Sequence, residues 1–222
     1  MAPPAVKPRF LSQLAHDLRS PLNVVASTLT DLMREPSELD PTDRTLMLTL
    51  SQRAVARLVG LSDRLSVASR VDNGLEASLQ PLDLVAHTKA LLAPFVATEL
   101  RRRIEVATEF PREKVMVRAD AALLTMLLRE LLSNANRFAR RKFRVEVFSG
   151  QKTGVMIDDD GEGIPPEERA LTFEPFADRR GRTGLGMGLW LAKSLAEVQF
   201  GSLTVEHLPV GTRQILNLPV LQ

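Results

Sequence analysis

The chain has 222 residues, 44% hydrophobic and 25% charged, with no cysteine, a composition that excludes a disordered chain, a disulfide framework and a cysteine-ligated zinc site. Its net charge is +2 and its pI near 9.3, but without Tyr or Cys a small excess of base carries the pI far up, so no nucleic-acid partner is inferred. No apolar run nears the roughly 18 residues of a membrane span and no hydrophobic signal region follows Met1, so no direct membrane segment and a cytoplasmic location are expected.

From Leu11 a heptad seam runs through Ala15, Leu18, Leu22, Val25, Leu29 and Leu32 at alternating spacings of four and three. The stretch EPSELDP ends this helix. Asp40 as N-cap, Pro41 at the first helical position and Asp43 near the positive dipole end start a second one, which reaches about Arg70. Its apolar positions are Leu46, Leu50, Ala54, Leu58, Leu61, Leu65 and Ala68. A hairpin of two such helices does not bury its stripe alone. Pairing with a second copy into a four-helix bundle is the economical way to cover it; packing against the rest of the chain is the alternative.

Residues 71–84, VDNGLEASLQPLDL, read as a turn-rich linker. Beyond it, strands are predicted in RIEVATE, KVMVRA, FRVEVF, TGVMID, SLTVEH and RQILNLP, and helices at 83–100, 120–139 and 187–198. This order predicts a sheet with helices on one face, a two-layer sandwich.

Four stretches carry chemistry. In HDLRSPLN, His16 lies one place off the seam, on a flank that meets solvent, and Asp17 is placed to orient its imidazole or take its proton. A neutral imidazole nitrogen is a nucleophile near neutral pH when the other nitrogen's proton has an acceptor. Pro21 removes the helix hydrogen bond to the carbonyl of Asp17 and favours a bend. In LLRELLSNANRFARR, Glu130, Asn134 and Arg137 form one polar stripe, which suits a hydrated Mg²⁺ and phosphates or, equally, plain solvent. In VMIDDDGEGIPPEE a strand ends in acids, with Asp159 placed to accept from an exocyclic amine, and Gly161 and Gly163 allow close backbone approach. In RTGLGMGLWLAKSLAEV, Gly184, Gly186 and Gly188 alternate before a helix whose free amides suit phosphate. Each stretch taken singly also fits an ordinary surface or turn.

Taken in order, the stretches resemble the catalytic core of sensor histidine kinases over residues 10 to 219. HDLRSPL resembles the phosphoacceptor box, ELLSNANRF the N box and DDGEGIP the first glycine box. TFEPF resembles the phenylalanine box and GLGMGLWLAK the second glycine box. The resemblance implies an N-terminal helical hairpin forming a dimeric four-helix bundle (1–72), a linker (73–84) and a two-layer α/β sandwich ATP-binding domain (85–222). It implies ATP and Mg²⁺ as cofactors. His16 takes the γ-phosphoryl group, Asp17 polarises its other nitrogen, Asn134 ligates the metal, Glu130 supports it and Arg137 contacts phosphates. Asp159 accepts from the adenine amine, with Gly161 and Gly163 lining the base pocket. Gly184, Gly186 and Gly188 form the base of a lid that Phe173 and Phe176 anchor. The implied partners are a second copy in a homodimer, the receiver domain of a response regulator, and a separate sensor domain or protein. His87 and His207 match no motif.

The chain departs from the pattern at four points. Glu130 stands where many of these kinases carry Asn and where ATPases of the gyrase, Hsp90 and MutL group place a water-activating Glu. The lid ADRRGRT, 177–183, is short. Gln199 and Phe200 replace the usual His and Gly, and Ser20 occupies a position that is Thr or Asn in kinases with strong phosphatase activity. Two other functions stay open at this stage: a phosphotransfer scaffold that no longer uses ATP productively, and an ATP-hydrolysing switch that depends on Glu130.

Overall fold

A computed structural model describes residues 8–34, 40–99, 104–175 and 186–220. They form two compact units, one ending at Asn73 and the other beginning at Gly74.

The first unit is a hairpin of α1 (Pro8–Arg34) and α2 (Pro41–Asp72). Asp40 caps α2, its carboxylate accepting from the Thr42 N–H at 2.7 Å, with Pro41 beginning the first turn. That bond holds the Asp40 carboxyl below its ordinary value. The helix α1 continues unbroken through Pro21, which is buried. Along the hairpin, Leu14, Leu18, Pro21, Val25, Thr28 and Leu32 are among the shielded positions of α1, with Asp17, and Met47, Ala54, Leu58, Leu61, Leu65 and Ala68 among those of α2. The predicted heptad is thus divided. Leu18, Val25 and Leu32 belong to the hairpin seam, while Leu11, Leu22 and Leu29 are more than half exposed. Leu46 and Leu50, predicted as seam residues of α2, are exposed as well. The physical reason is that a helix crossing one partner buries one stripe, and a heptad wide enough for two partners leaves half its residues outside it.

The second unit is a two-layer α/β sandwich with a mixed five-stranded sheet. Its elements in chain order are β1 (Gln80–Asp83), α3 (Leu84–Glu99), β2 (Glu105–Glu109), β3 (Met116–Ala119) and α4 (Ala121–Phe138). They continue with β4 (Lys142–Phe148), β5 (Gly154–Asp159), a 3-10 helix (Pro166–Leu171), α5 (Gly188–Val198), β6 (Ser202–His207) and β7 (Thr212–Asn217). The sheet runs β2-β4-β5-β7-β6, with β2 parallel to β4 and the other pairs antiparallel. Alternation with period two decides its faces. Phe143, Val145, Ile157 and Leu216 are buried together with Leu127, Leu131, Leu191 and Leu195 of α4 and α5, and make the core.

The opposite face carries a charge ladder. Asp158 accepts from Arg213 at 2.8 and 2.9 Å and from Arg144 at 2.9 Å, and Arg144 also donates to Glu109 at 3.1 Å. Burial pushes the Asp158 carboxyl up, but the two guanidinium groups outweigh it and hold it below the ordinary range. Within the segment read as linker, Gln80–Asp83 pairs antiparallel with β3. Pro81 conceals this strand from a propensity reading, yet an edge strand tolerates a residue without N–H.

Candidate nucleotide and phosphoacceptor sites

Three elements of the second unit build one site. Asp120 caps α4, accepting from the Ala122 and Leu123 N–H groups at 3.0 and 3.1 Å. Along α4 the predicted polar stripe grades from inside to outside: Glu130 is buried, Asn134 half-buried and Arg137 exposed, its guanidinium 5.1 Å from the Phe138 ring centroid. The stripe is therefore not a plain solvent face. At its buried end it meets the start of α5, where a Cβ built on Gly188 would lie 2.9 Å from Glu130 Oε2 and 3.9 Å from both amide atoms of Asn134. Only glycine leaves that space open. Gly186 has a φ of 65°, the left-handed region that favours glycine, and the N-cap Met187 offers no side-chain hydrogen bond. The first amides of α5 thus lack a side-chain cap. Gly184 and Phe176 lie outside the described residues.

The three consecutive acids that close β5 and follow it, Asp158 to Asp160, point three ways. Asp158 joins the charge ladder. Asp160 accepts from the N–H groups of Arg140 at 2.8 Å and Arg141 at 3.1 Å, and these amides outweigh a burial effect in the other direction to keep its carboxyl low. Asp159 turns inward and is buried, with Oδ1 accepting from the Gly161 N–H at 2.9 Å. Burial pushes its carboxyl up to about 6, against the lowering by the amides of Gly161 and Thr212. Gly161 and Gly163 do permit close approach, but to the chain itself: a Cβ on Gly161 would meet the carbonyl oxygen of Phe138, and one on Gly163 would sit 3.1 Å from that of Gly211. Gly163 also has a φ of 74°.

Phe173 is half-buried and its ring lies 4.9 Å from Lys193 Nζ of α5. His87 contacts Thr125 Oγ1 at 3.0 Å through Nε2, and burial lowers its pKa. Motif reading passed over Thr212, buried beside Asp159 in strand register; Gln199, read only as a replacement for the usual His, is fully buried. The only sequence signal for Thr212 is its position after Gly211 at a strand start.

In the first unit, His16 is 74% exposed and its Nδ1 lies 3.4 Å from Oδ1 of Asp17, which is 3% exposed. The carboxylate is set into the hairpin while the imidazole projects from it.

The second unit is thus a two-layer sandwich with a buried acid at a strand end and a glycine opening onto a facing helix. Residues 119–222 match the family described as "Histidine kinase-, DNA gyrase B-, and HSP90-like ATPase". The match covers most of the second unit and, with the relatives that follow, supports a catalytic core of the histidine kinase type. The chain is 26% identical over 209 residues to the sensor histidine kinase YkoH of Bacillus subtilis, covering 90% of this chain and 45% of that protein. The chain spans about half the length, or less, of several curated relatives that it matches. Among solved structures, the Acinetobacter baumannii histidine kinase AdeS superposes with a TM-score of 0.67 at 19% identity, covering 93% of this chain and 98% of that one. Full-length ShkA in complex with AMPPNP superposes with a TM-score of 0.70 at 22% identity, covering 97% and 46%. Both superpositions establish the fold.

Proposed function

We propose that the chain is an ATP-dependent protein histidine kinase core, which phosphorylates His16 and passes the phosphoryl group to an aspartate in the receiver domain of a response regulator. The observation that carries this proposal is the pairing on His16, because a nucleophilic histidine is what separates a kinase from other ATPases with the same sandwich. With the proton on Nδ1 held toward the buried Asp17, Nε2 keeps a free lone pair in solvent. Nε2 attacks the γ-phosphorus, the bond to the bridging oxygen breaks, ADP leaves, and the positive charge on the ring is balanced by Asp17. In the second step the P–N bond breaks as a carboxylate oxygen of the receiver takes the phosphoryl group.

In the nucleotide site, Asp159 accepts from the adenine amine, the turn of Gly161 and Gly163 holds that carboxylate in place, and Arg137 contacts phosphates. Gly186 and Gly188 leave room for phosphates at the uncapped amides of α5, with Phe173 beside Lys193 of the same helix. Hard oxygens suit Mg²⁺: the Glu130 carboxylate and the Asn134 amide face the gap above Gly188. Among the described residues no three acids or histidines gather around one point, and phosphates and water would supply the remaining oxygens. When bound, the metal neutralises phosphate charge; Asn134, supported by Glu130, would hold it.

The functional units are the hairpin, residues 1–72, and the ATP-binding domain, residues 85–222, which also takes in β1 from the stretch 73–84 read as a linker. The active form is a homodimer, supported by the exposed Leu11, Leu22 and Leu29 of α1 and Val55 and Val59 of α2, an apolar surface of the kind a second hairpin covers. Input comes from a separate sensor domain or protein, and the site of action is the cytoplasm.

Incubation with γ-labelled ATP and Mg²⁺ tests the central claim. Acid-labile, base-stable label on the wild type and none on His16→Gln is expected. Equal label on His16→Gln would overturn it.

A further inference from the structure

Gln199 has no part in the roles above, yet its side chain holds both helices of the nucleotide site at once. It is fully buried; Oε1 accepts from the Asp120 N–H at the foot of α4, and Nε2 donates to the Leu195 carbonyl in the last turn of α5, both at 2.9 Å. The two helices run antiparallel, since Gln199 at the end of α5 meets the start of α4 while Gly188 at its beginning meets Glu130 and Asn134. A third segment arrives at the same point. Asp120 uses Oδ1 to cap α4 and Oδ2 to accept from the Ser78 N–H at 3.0 Å, and the strand that follows pairs Gln80 with Ala119, the residue before Asp120.

We propose that Gln199 is a positioning residue: it fixes α4 against α5, and so sets the Glu130–Asn134–Gly188 gap from the point where the segment leaving the hairpin is tied in. The inference rests on the nucleotide-site assignment above. Both groups that Gln199 satisfies belong to the main chain at helix ends, the Asp120 N–H and a last-turn carbonyl of α5. Neither helix therefore slides along the other without breaking a buried bond. At 1.5 Å per residue the clamp stands about 15–21 Å along the helices from the gap, so a small shift at one end is carried to the other by two rigid rods.

The test uses the whole chain with Mg-ATP calorimetry at 25 °C and labelling of His16. Gln199→Leu keeps the size and removes both bonds; it is expected to raise the Mg-ATP dissociation constant by about 2- to 30-fold in protein that remains folded by Trp190 fluorescence. Gln199→His, with one ring acceptor and one ring donor, is expected to restore most of the affinity. Loss of fold stability alone would not follow that rescue, because affinity is measured on the folded population. A folded Gln199→Leu with wild-type affinity overturns the inference, whereas wild type that binds no Mg-ATP overturns the nucleotide site itself. Should Gln199→Leu fail to fold, Gln199→Met decides: its unbranched side chain keeps the length and makes neither bond, and unchanged Mg-ATP affinity there overturns the inference.

Discussion

Asp159 is expected to work against the stability of the unit that it serves. Its carboxyl is buried at the end of β5 and pushed up to about 6 from an ordinary 3.8, with burial the main cause. A folded-state value above the unfolded one means the native state holds the proton more tightly. The stabilising contribution is therefore complete below 3.8 and is lost as the pH rises through about 6. At roughly 1.4 kcal/mol per pH unit, the ionised carboxylate costs about 3 kcal/mol at pH 7.5. Asn in its place still accepts the Gly161 N–H through its oxygen and carries no charge. Asp159→Asn is thus expected to stabilise the second unit by up to about 3 kcal/mol at pH 7.5, with no gain at pH 3.5, where both side chains are neutral. Urea unfolding followed by Trp190, the one tryptophan and part of α5, reports on this unit alone. The same variant is expected to lose Mg-ATP binding, because the amine acceptor is altered. A variant less stable than wild type at pH 7.5, or a gain that persists at pH 3.5, would refute the electrostatic argument.

Phe200 predicts the reverse kind of change, a stabilisation with no functional loss. It sits at the C′ position of α5 with a φ of 58° and is 80% exposed, and its N–H and that of Gly201 bond back to the carbonyls of Glu197 and Ala196 at 2.9 and 2.8 Å. Glycine is favoured in this left-handed cap, so Phe200→Gly is expected to raise stability by about 1 kcal/mol by thermal or urea unfolding; a loss would count against strain there. Gly188→Ala brings a Cβ to 2.9 Å from Glu130 Oε2 and is expected to weaken Mg-ATP binding by about tenfold or more, read by calorimetry. Unchanged affinity would remove Gly188 from the site. A fragment 74–222 is expected to fold with cooperative unfolding, while 85–222, lacking β1 and the Ser78 bond to Asp120, is expected to be less stable by at least about 1–3 kcal/mol. Equal midpoints would show that β1 is dispensable.

Local chemistry was legible wherever a residue acts on its immediate neighbours. Asp40 caps its helix because its carboxylate reaches an amide two residues on. The alternation in Lys142–Phe148 marks a strand, and Glu130, Asn134 and Arg137 share a helix face through spacing alone. The exception is β1, where Pro81 masks a strand that exists only because β3 offers it an edge.

What spacing leaves open is the direction in which a face looks, for burial is a relation to whatever packs there. DDD at 158–160 does not announce that one acid joins two arginines across the sheet, one enters the core and one receives loop amides. Strand pairing and twist decided that. The heptad of α1 likewise does not say which half meets α2, nor that Glu130 is buried against Gly188 instead of hydrated. The same holds for Gln199, which joins Asp120 across 79 positions of sequence. The sequence by itself determined the elements, their caps and the order of the motifs, because those follow from interactions within a turn or two. Tertiary structure alone decided which polar groups were taken out of water and against what, and that desolvation tunes Asp159 and sets the gap at Gly188.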